Sequence, residues 1–94
     1  MMYDLQARYD SRASFYGKAK VVEEKGLLKL YSYDTLVATV ETTPNGFECH
    51  YLGKYSQTTT RHQKEFFRQV GLGGSDIKAL FKEGNMLVPF NNLL

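Results

Sequence analysis

The sequence predicts an α+β domain in which a four-stranded antiparallel meander is covered on one face by two C-terminal helices. Three observations predict it. Between residues 15 and 52 apolar and polar residues alternate with period two, the pattern of half-buried strands. Between residues 56 and 83 the apolar spacing lengthens to three and four, the pattern of amphipathic helices. Turn residues fall where short connections are needed, at Gly26, Asp34 and Pro44-Asn45-Gly46. Strands followed by helices in one short chain make a two-layer fold.

Residues 1–14 are polar, of mixed charge and rich in Asp, Ser and Arg, and predict an irregular arm. From Phe15 the alternation begins: Phe15, Gly17, Ala19 and Val21 point one way, with Tyr16, Lys18, Lys20 and Val22 opposite. Leu27 to Tyr33 is the second strand, with Leu28, Leu30 and Ser32 against Lys29, Tyr31 and Tyr33. Thr35 to Glu41 is the third, placing Leu36, Ala38 and Val40 on one face and Val37, Thr39 and Glu41 on the other. Phe47 to Leu52 returns as the fourth.

Tyr55 to Gly71 has the pattern of one helix. Any of Ser56, Thr58, Thr59 or Thr60 suits its N-cap, and Thr60 with Gln63 has capping-box spacing. On a helical wheel Thr59, Gln63, Phe66, Phe67 and Val70 fall within about 100°, a stripe wide enough to cover a sheet. Gly71, Gly73 and Gly74 end it. Ile77, Leu80 and Phe81 mark a second helix, from Ser75 to Glu83, stopped by Gly84-Asn85. Residues 84–94 form a tail, in which Met86 to Phe90 is apolar enough to add an edge strand.

Ninety-four residues make one domain, burying roughly 60–65% of the unfolded surface. With 43% hydrophobic and 23% charged residues the chain lies in the normal globular range. The net charge of +2 is too small to argue for a nucleic-acid partner without local clustering. Cys49 is the only cysteine and there are two histidines, so neither a disulfide nor a metal site is expected, nor any cofactor. Absence of a signal-like or membrane-length apolar run predicts a cytoplasmic protein.

Arg61, Lys64 and Arg68 fall within about 60° on the wheel, opposite the apolar stripe, and form an outward basic stripe suited to phosphates. Thr58, Thr59 and Thr60 add hydroxyls at the helix start, where unpaired N–H groups favour anions. The competing reading is an ordinary solvated face, with Glu65 neutralising the stripe from i+4 of Arg61 and i−3 of Arg68. Tyr31, Tyr33 and Tyr51, with Lys18 and Lys20 beside them, suggest a stacking platform or a protein interface. Strand preference alone also explains those tyrosines. Cys49 and His50 are neighbours on a strand and point to opposite faces, and no carboxylate completes a triad with His62, so catalysis is not expected.

Three blocks carry a family resemblance. They are Tyr9-Asp10-Ser11-Arg12 with Ser14-Phe15-Tyr16-Gly17-Lys18-Ala19, then Leu30-Tyr31-Ser32-Tyr33-Asp34-Thr35-Leu36-Val37-Ala38, then Tyr55-Ser56-Gln57-Thr58-Thr59-Thr60-Arg61-His62-Gln63-Lys64-Glu65-Phe66. Together they resemble a family of small, uncharacterised proteins of phages, plasmids and chromosomes of low-GC Gram-positive bacteria. Its most specific part is the run Tyr-Ser-x-Thr-Thr-x-Arg-His-x-x-Glu-Phe. The resemblance implies a setting among mobile elements and their hosts and supplies no mechanism.

The expected function is therefore that of a small non-enzymatic accessory protein, binding nucleic acid weakly through the basic helix face. The alternative is a protein-binding module or an inhibitor of a host enzyme or defence nuclease, using the tyrosines and the apolar tail. An uncovered edge strand leaves a homodimer open.

Overall fold

The computed structural model describes residues 1–90. In chain order the elements are β1 (Met2–Asp4), β2 (Ala19–Glu24), β3 (Leu27–Ser32), β4 (Thr35–Thr43), β5 (Gly46–Tyr51), α1 (Gln57–Gln69), α2 (Gly74–Glu83) and β6 (Asn85–Pro89). All six strands form one sheet in the order β1-β2-β3-β4-β5-β6, every neighbour antiparallel. The α+β class and the two helices are as the sequence predicts. The sheet has six strands where the alternation predicts four.

Of the two additional strands, β6 is the edge strand that the apolar run Met86 to Phe90 allows, and β1 lies at the opposite edge, where pattern is weakest. All three residues of β1, Met2–Asp4, which lie in the arm predicted as irregular, are exposed, so no burial rhythm announces them. Backbone pairing holds β1 in place, aided at its start by the Met1 ammonium, which donates to the Glu23 carbonyl at 2.9 Å. Leu5, immediately after, is buried in the core. At the opposite edge β6 returns after both helices to pair with β5, Val88 opposite Phe47 and Met86 opposite Cys49. Residues 91–94 of the predicted tail lie outside the described residues.

Two predicted details change. The first strand of the meander starts at Ala19 and not at Phe15, because Tyr16 and Gly17 take φ of 54° and 74° and turn the chain. Phe15 is nevertheless buried. The second change is at Val37, predicted to face away from the core and found fully buried. A bulge is the cause. Leu30 pairs with Ala38 and Tyr31 with Leu36, which leaves Val37 as the extra residue on β4. Its carbonyl accepts from the Leu52 N–H at 3.1 Å and from Gln63 Nε2 at 3.0 Å.

Side chains alternate across the sheet, so each register row belongs to one face. Val21, Leu30, Ala38 and Tyr51 form a row on the helix-covered face, and Leu28, Val40, Cys49 and Met86 form the next. Phe66 and Phe67 of α1, then Leu72, Ile77 and Leu80, close over these rows. Lys20, Tyr31 and Leu36 lie on the opposite face, as do Val22, Lys29, Thr39 and His50.

The cap of α1 is Ser56, whose Oγ accepts the Thr59 N–H at 3.1 Å. Thr60 and Gln63 do not form the predicted capping box. Gln63 is buried and donates to the carbonyls of Val37 and Gly53, both at 3.0 Å, tying the helix to the bulge. Gly84, at φ 88°, ends α2 in the left-handed region, where its N–H bonds the Leu80 carbonyl at 2.8 Å. No helix among the described residues is long and apolar enough to cross a membrane.

Candidate functional site

The outward face of α1 carries Lys64 and Arg68, both exposed, one turn apart. Arg61, the third residue of the predicted stripe, is committed elsewhere: its Nη1 donates to Asp10 Oδ1 at 2.9 Å, and the Asp10 side chain is only 11% exposed.

Glu65 does not lie on this face as a neutralising charge. It is 2% exposed and turned against the N-terminal arm. The backbone N–H groups of Arg8, Tyr9 and Asp10 donate to its Oε1 at 3.1, 2.8 and 2.9 Å, and Gln69 Nε2 donates to Oε2 at 2.6 Å. Three successive N–H groups around one oxygen form an anion nest, here filled by the protein's own carboxylate. The arm predicted as irregular is therefore strapped across α1, with its chain path held by Glu65 and Arg61. Spacing along the helix showed where Glu65 sits, but only the arm's path reveals what it binds.

With Glu65 withdrawn, the surface around Lys64 is basic. Lys64 lines three hollows. One, of about 380 Å³, runs between the helices and is lined by Lys64, Arg68, Gly74, Ile77, Lys78 and Phe81. A second, of about 400 Å³, is lined by Asp10, Lys54, Gln57, Thr60, Arg61 and Lys64. The third, of about 230 Å³, joins Lys64 and Arg68 to Tyr9, Asp10 and Glu65. Lys54 and Lys78 are thus members that the wheel of one helix cannot identify, since neither lies on α1. The signal available for Lys78 is its place beside Ile77 and three residues before Phe81, at the border of the buried stripe of α2.

The three threonines separate. Thr59 is buried, its Oγ1 2.8 Å from Ser32 Oγ, and is removed from any ligand. Thr60 donates its hydroxyl to the Ser56 carbonyl at 3.0 Å and lines the hollow with Lys54. Thr58 is exposed at the first turn.

Lys18 and Lys20 do not join this cluster. They line a different hollow of about 210 Å³ with Gly17, Tyr31, Tyr33 and Asp34, and Lys20 pairs with Asp4 at 2.8 Å. Tyr31 and Tyr33 are therefore brought together with two lysines. Tyr51 is not with them: it lies on the helix-covered face and stacks on Phe81, with ring centroids 4.2 Å apart and 17° between planes.

Beneath α1 lies a polar cluster that the sequence does not advertise. Ser32 Oγ is 2.8 Å from His62 Nδ1 as well as from Thr59 Oγ1, and Ser32 and His62 are both buried. Phe15 meets the imidazole edge-on at 4.7 Å. A serine beside a histidine is the arrangement of a nucleophile and its base, yet among the described residues no carboxylate bonds the imidazole to orient it, Ser32 is shared with the Thr59 hydroxyl, and His62 Nε2 has no partner. The cluster fastens β3 to α1. Burial lowers the His62 pKa below its ordinary value, while the Asp10 carboxylate, a smaller influence, raises it. Cys49 is buried and its thiol is pushed up to about 11, chiefly by desolvation and then by Glu48. It is no nucleophile at neutral pH.

Residues 3–83 match a family of unknown function, DUF8033. The chain belongs to the DUF8033 family. The DUF8033 match runs from within β1 to the last residue of α2 and includes Glu65, the nest at Arg8 to Asp10, and Lys54, Lys64, Arg68 and Lys78 around the hollows. No curated protein and no solved structure matches the chain.

Proposed function

We propose that this chain is a non-enzymatic accessory protein that binds the phosphate backbone of nucleic acid through the outer face of its helices. The supporting observation is the convergence on Lys64, which shares hollows with Lys54, Arg61, Arg68 and Lys78. The two carboxylates of that region are occupied, Asp10 by Arg61 and Glu65 by four N–H donors. A net charge of +2 for the whole chain thus includes a local group of cations unpaired among the described residues, Lys54, Lys64, Arg68 and Lys78, beside two carboxylates whose acceptor oxygens are already engaged. Contacts of this type give affinity without sequence choice, with dissociation constants of about 10⁻⁴–10⁻⁶ M at physiological salt. The setting that goes with this reading is cytoplasmic, on a mobile element or in its host.

Fluorescence anisotropy of labelled oligonucleotides at low salt tests it. Binding is expected, with a log–log salt slope of about −3 if Lys54, Lys64, Arg68 and Lys78 each neutralise one phosphate of a single strand. Replacing Lys64 and Arg68 with alanine should reduce the magnitude of the slope by about 1.4, half of the total. Failure of the native chain to bind any oligonucleotide at low salt overturns the reading.

Leu87 and Phe90, 49% and 44% exposed at the β6 edge, favour a second reading, a protein-binding module such as an inhibitor of a host enzyme or nuclease. A homodimer through the same edge is its simplest form. A Leu87→Lys variant that retains every interaction of the native chain would exclude that edge.

A further inference from the structure

We infer that the groove between α1 and α2 holds a base of single-stranded nucleic acid against Phe81 while Lys64, Arg68 and Lys78 hold the adjoining phosphates. This rests on the nucleic-acid reading above and adds to it the strandedness of the ligand and the residue that contacts its base.

The groove combines two chemistries. Ile77 and Phe81 supply an apolar floor, and Lys64, Arg68 and Lys78 supply three cations, with no acidic residue in its lining. Its volume of about 380 Å³ lies near the small end of the roughly 300–1,000 Å³ usual for small-ligand sites, enough for one planar group. An inorganic anion would use the cations and leave the floor wet. A duplex keeps its bases stacked and paired, and would meet only the rim. A single strand can satisfy both parts, because its bases are free to leave the stack.

The ring is a rigid platform. Tyr51 stacks on Phe81 at 4.2 Å and 17°, and Phe67 meets it edge-on at 6.3 Å, so its plane is fixed before any ligand arrives. What remains exposed of Phe81 lines the groove. Preorganisation of this kind lowers the ordering cost of binding. Arg68 is placed over the start of α2: a methyl built on Gly74 would lie 3.5 Å from its Nη2. The α2 N-cap, Gly73, offers no side-chain acceptor, and the carboxylate of Asp76 in the first turn offsets the charge of that helix end, so the pull on a phosphate comes from the three side-chain cations.

The experiment compares three labelled probes with the native chain at one low salt concentration. They are a thymine-containing single strand, an abasic deoxyribose-phosphate strand of equal length, and a duplex. The thymine strand should bind about tenfold more tightly than the abasic strand, the usual scale of one stacked base. Phe81→Leu, which keeps the floor apolar and removes the ring, should abolish that tenfold preference and leave abasic binding unchanged. The native-chain comparison stands alone if the variant does not fold. Equal affinity for thymine and abasic strands, or duplex binding as tight as that of the thymine strand, overturns this inference and leaves the phosphate-binding reading intact. Absence of binding to all three overturns both.

Discussion

The carboxylate of Glu65 receives the backbone N–H of Tyr9 at 2.8 Å, across 56 residues of sequence. With the neighbouring donors from Arg8 and Asp10 it turns a polar, unpatterned arm into a fixed strap over α1.

Removing the carboxylate should therefore destabilise the fold and release the arm. Glu65→Ala leaves three backbone donors without their acceptor and is expected to cost about 3 kcal/mol, on the scale of charge-assisted hydrogen bonds in buried settings. Glu65→Gln keeps one acceptor oxygen and should cost about 1 kcal/mol. Urea unfolding measures the loss. Limited proteolysis should locate it, with new cleavage between residues 8 and 14 before any cut in the sheet.

The same arm holds a cation in reserve. Asp10→Asn frees Arg61 from its partner 2.9 Å away and should tighten oligonucleotide binding, steepening the salt slope by about one. The Arg61 side chain is 40% exposed, so the stability change should stay within about 1 kcal/mol. A variant that binds no more tightly than the native chain would show that Arg61 lies off the contact surface.

Stability should depend on pH through His62. The unfolded chain takes up a proton near the ordinary value of 6.5, whereas burial makes the folded imidazole resist it. The unfolded state then binds more protons, so the contribution is complete above about 6.5 and is lost progressively as pH falls below it. His62→Gln cannot titrate and should flatten the difference between urea midpoints measured at neutral and mildly acidic pH. An equal difference in both proteins would assign the pH dependence to other groups.

Gly46 controls whether the sixth strand can dock. A Cβ there would run into the carbonyl oxygen of Val88, since Gly46 lies opposite Pro89 in the ladder. Gly46→Ala should therefore destabilise by about 1–3 kcal/mol through overpacking. Hydrogen exchange should show faster exchange in β6 than in β2 and β3.

Legibility followed locality. The strands from Leu27 to Tyr51 and both helices were readable because their neighbours in space are neighbours in sequence, joined by turns such as Tyr33-Asp34 and Pro44-Asn45-Gly46. Val37 departs from its predicted face because a bulge shifts the two-residue rhythm without altering composition. Met2–Asp4 carries no such signal, because a fully exposed strand held by backbone pairing and one surface ion pair needs no apolar rhythm. Lys64 and Arg68 could be found on one helix, while Lys54, Lys78 and the removal of Glu65 depend on what packs against that helix. Three threonines of one run looked equivalent, and burial of Thr59 under α1 separates them.

The place of β6 has a consequence for biosynthesis. β2 to β5 are joined by short connections and can pair as they leave the ribosome, but the free edge of β5 stays open until two helices and Asn85–Pro89 have been made. For that interval Cys49 and Phe47 border an unpaired strand, the form of surface on which nascent chains stick to one another. A chain cut short before residue 85 thus keeps the longer-lived open edge on β5, where Phe47 and Cys49 would lie beside whatever strand pairs there.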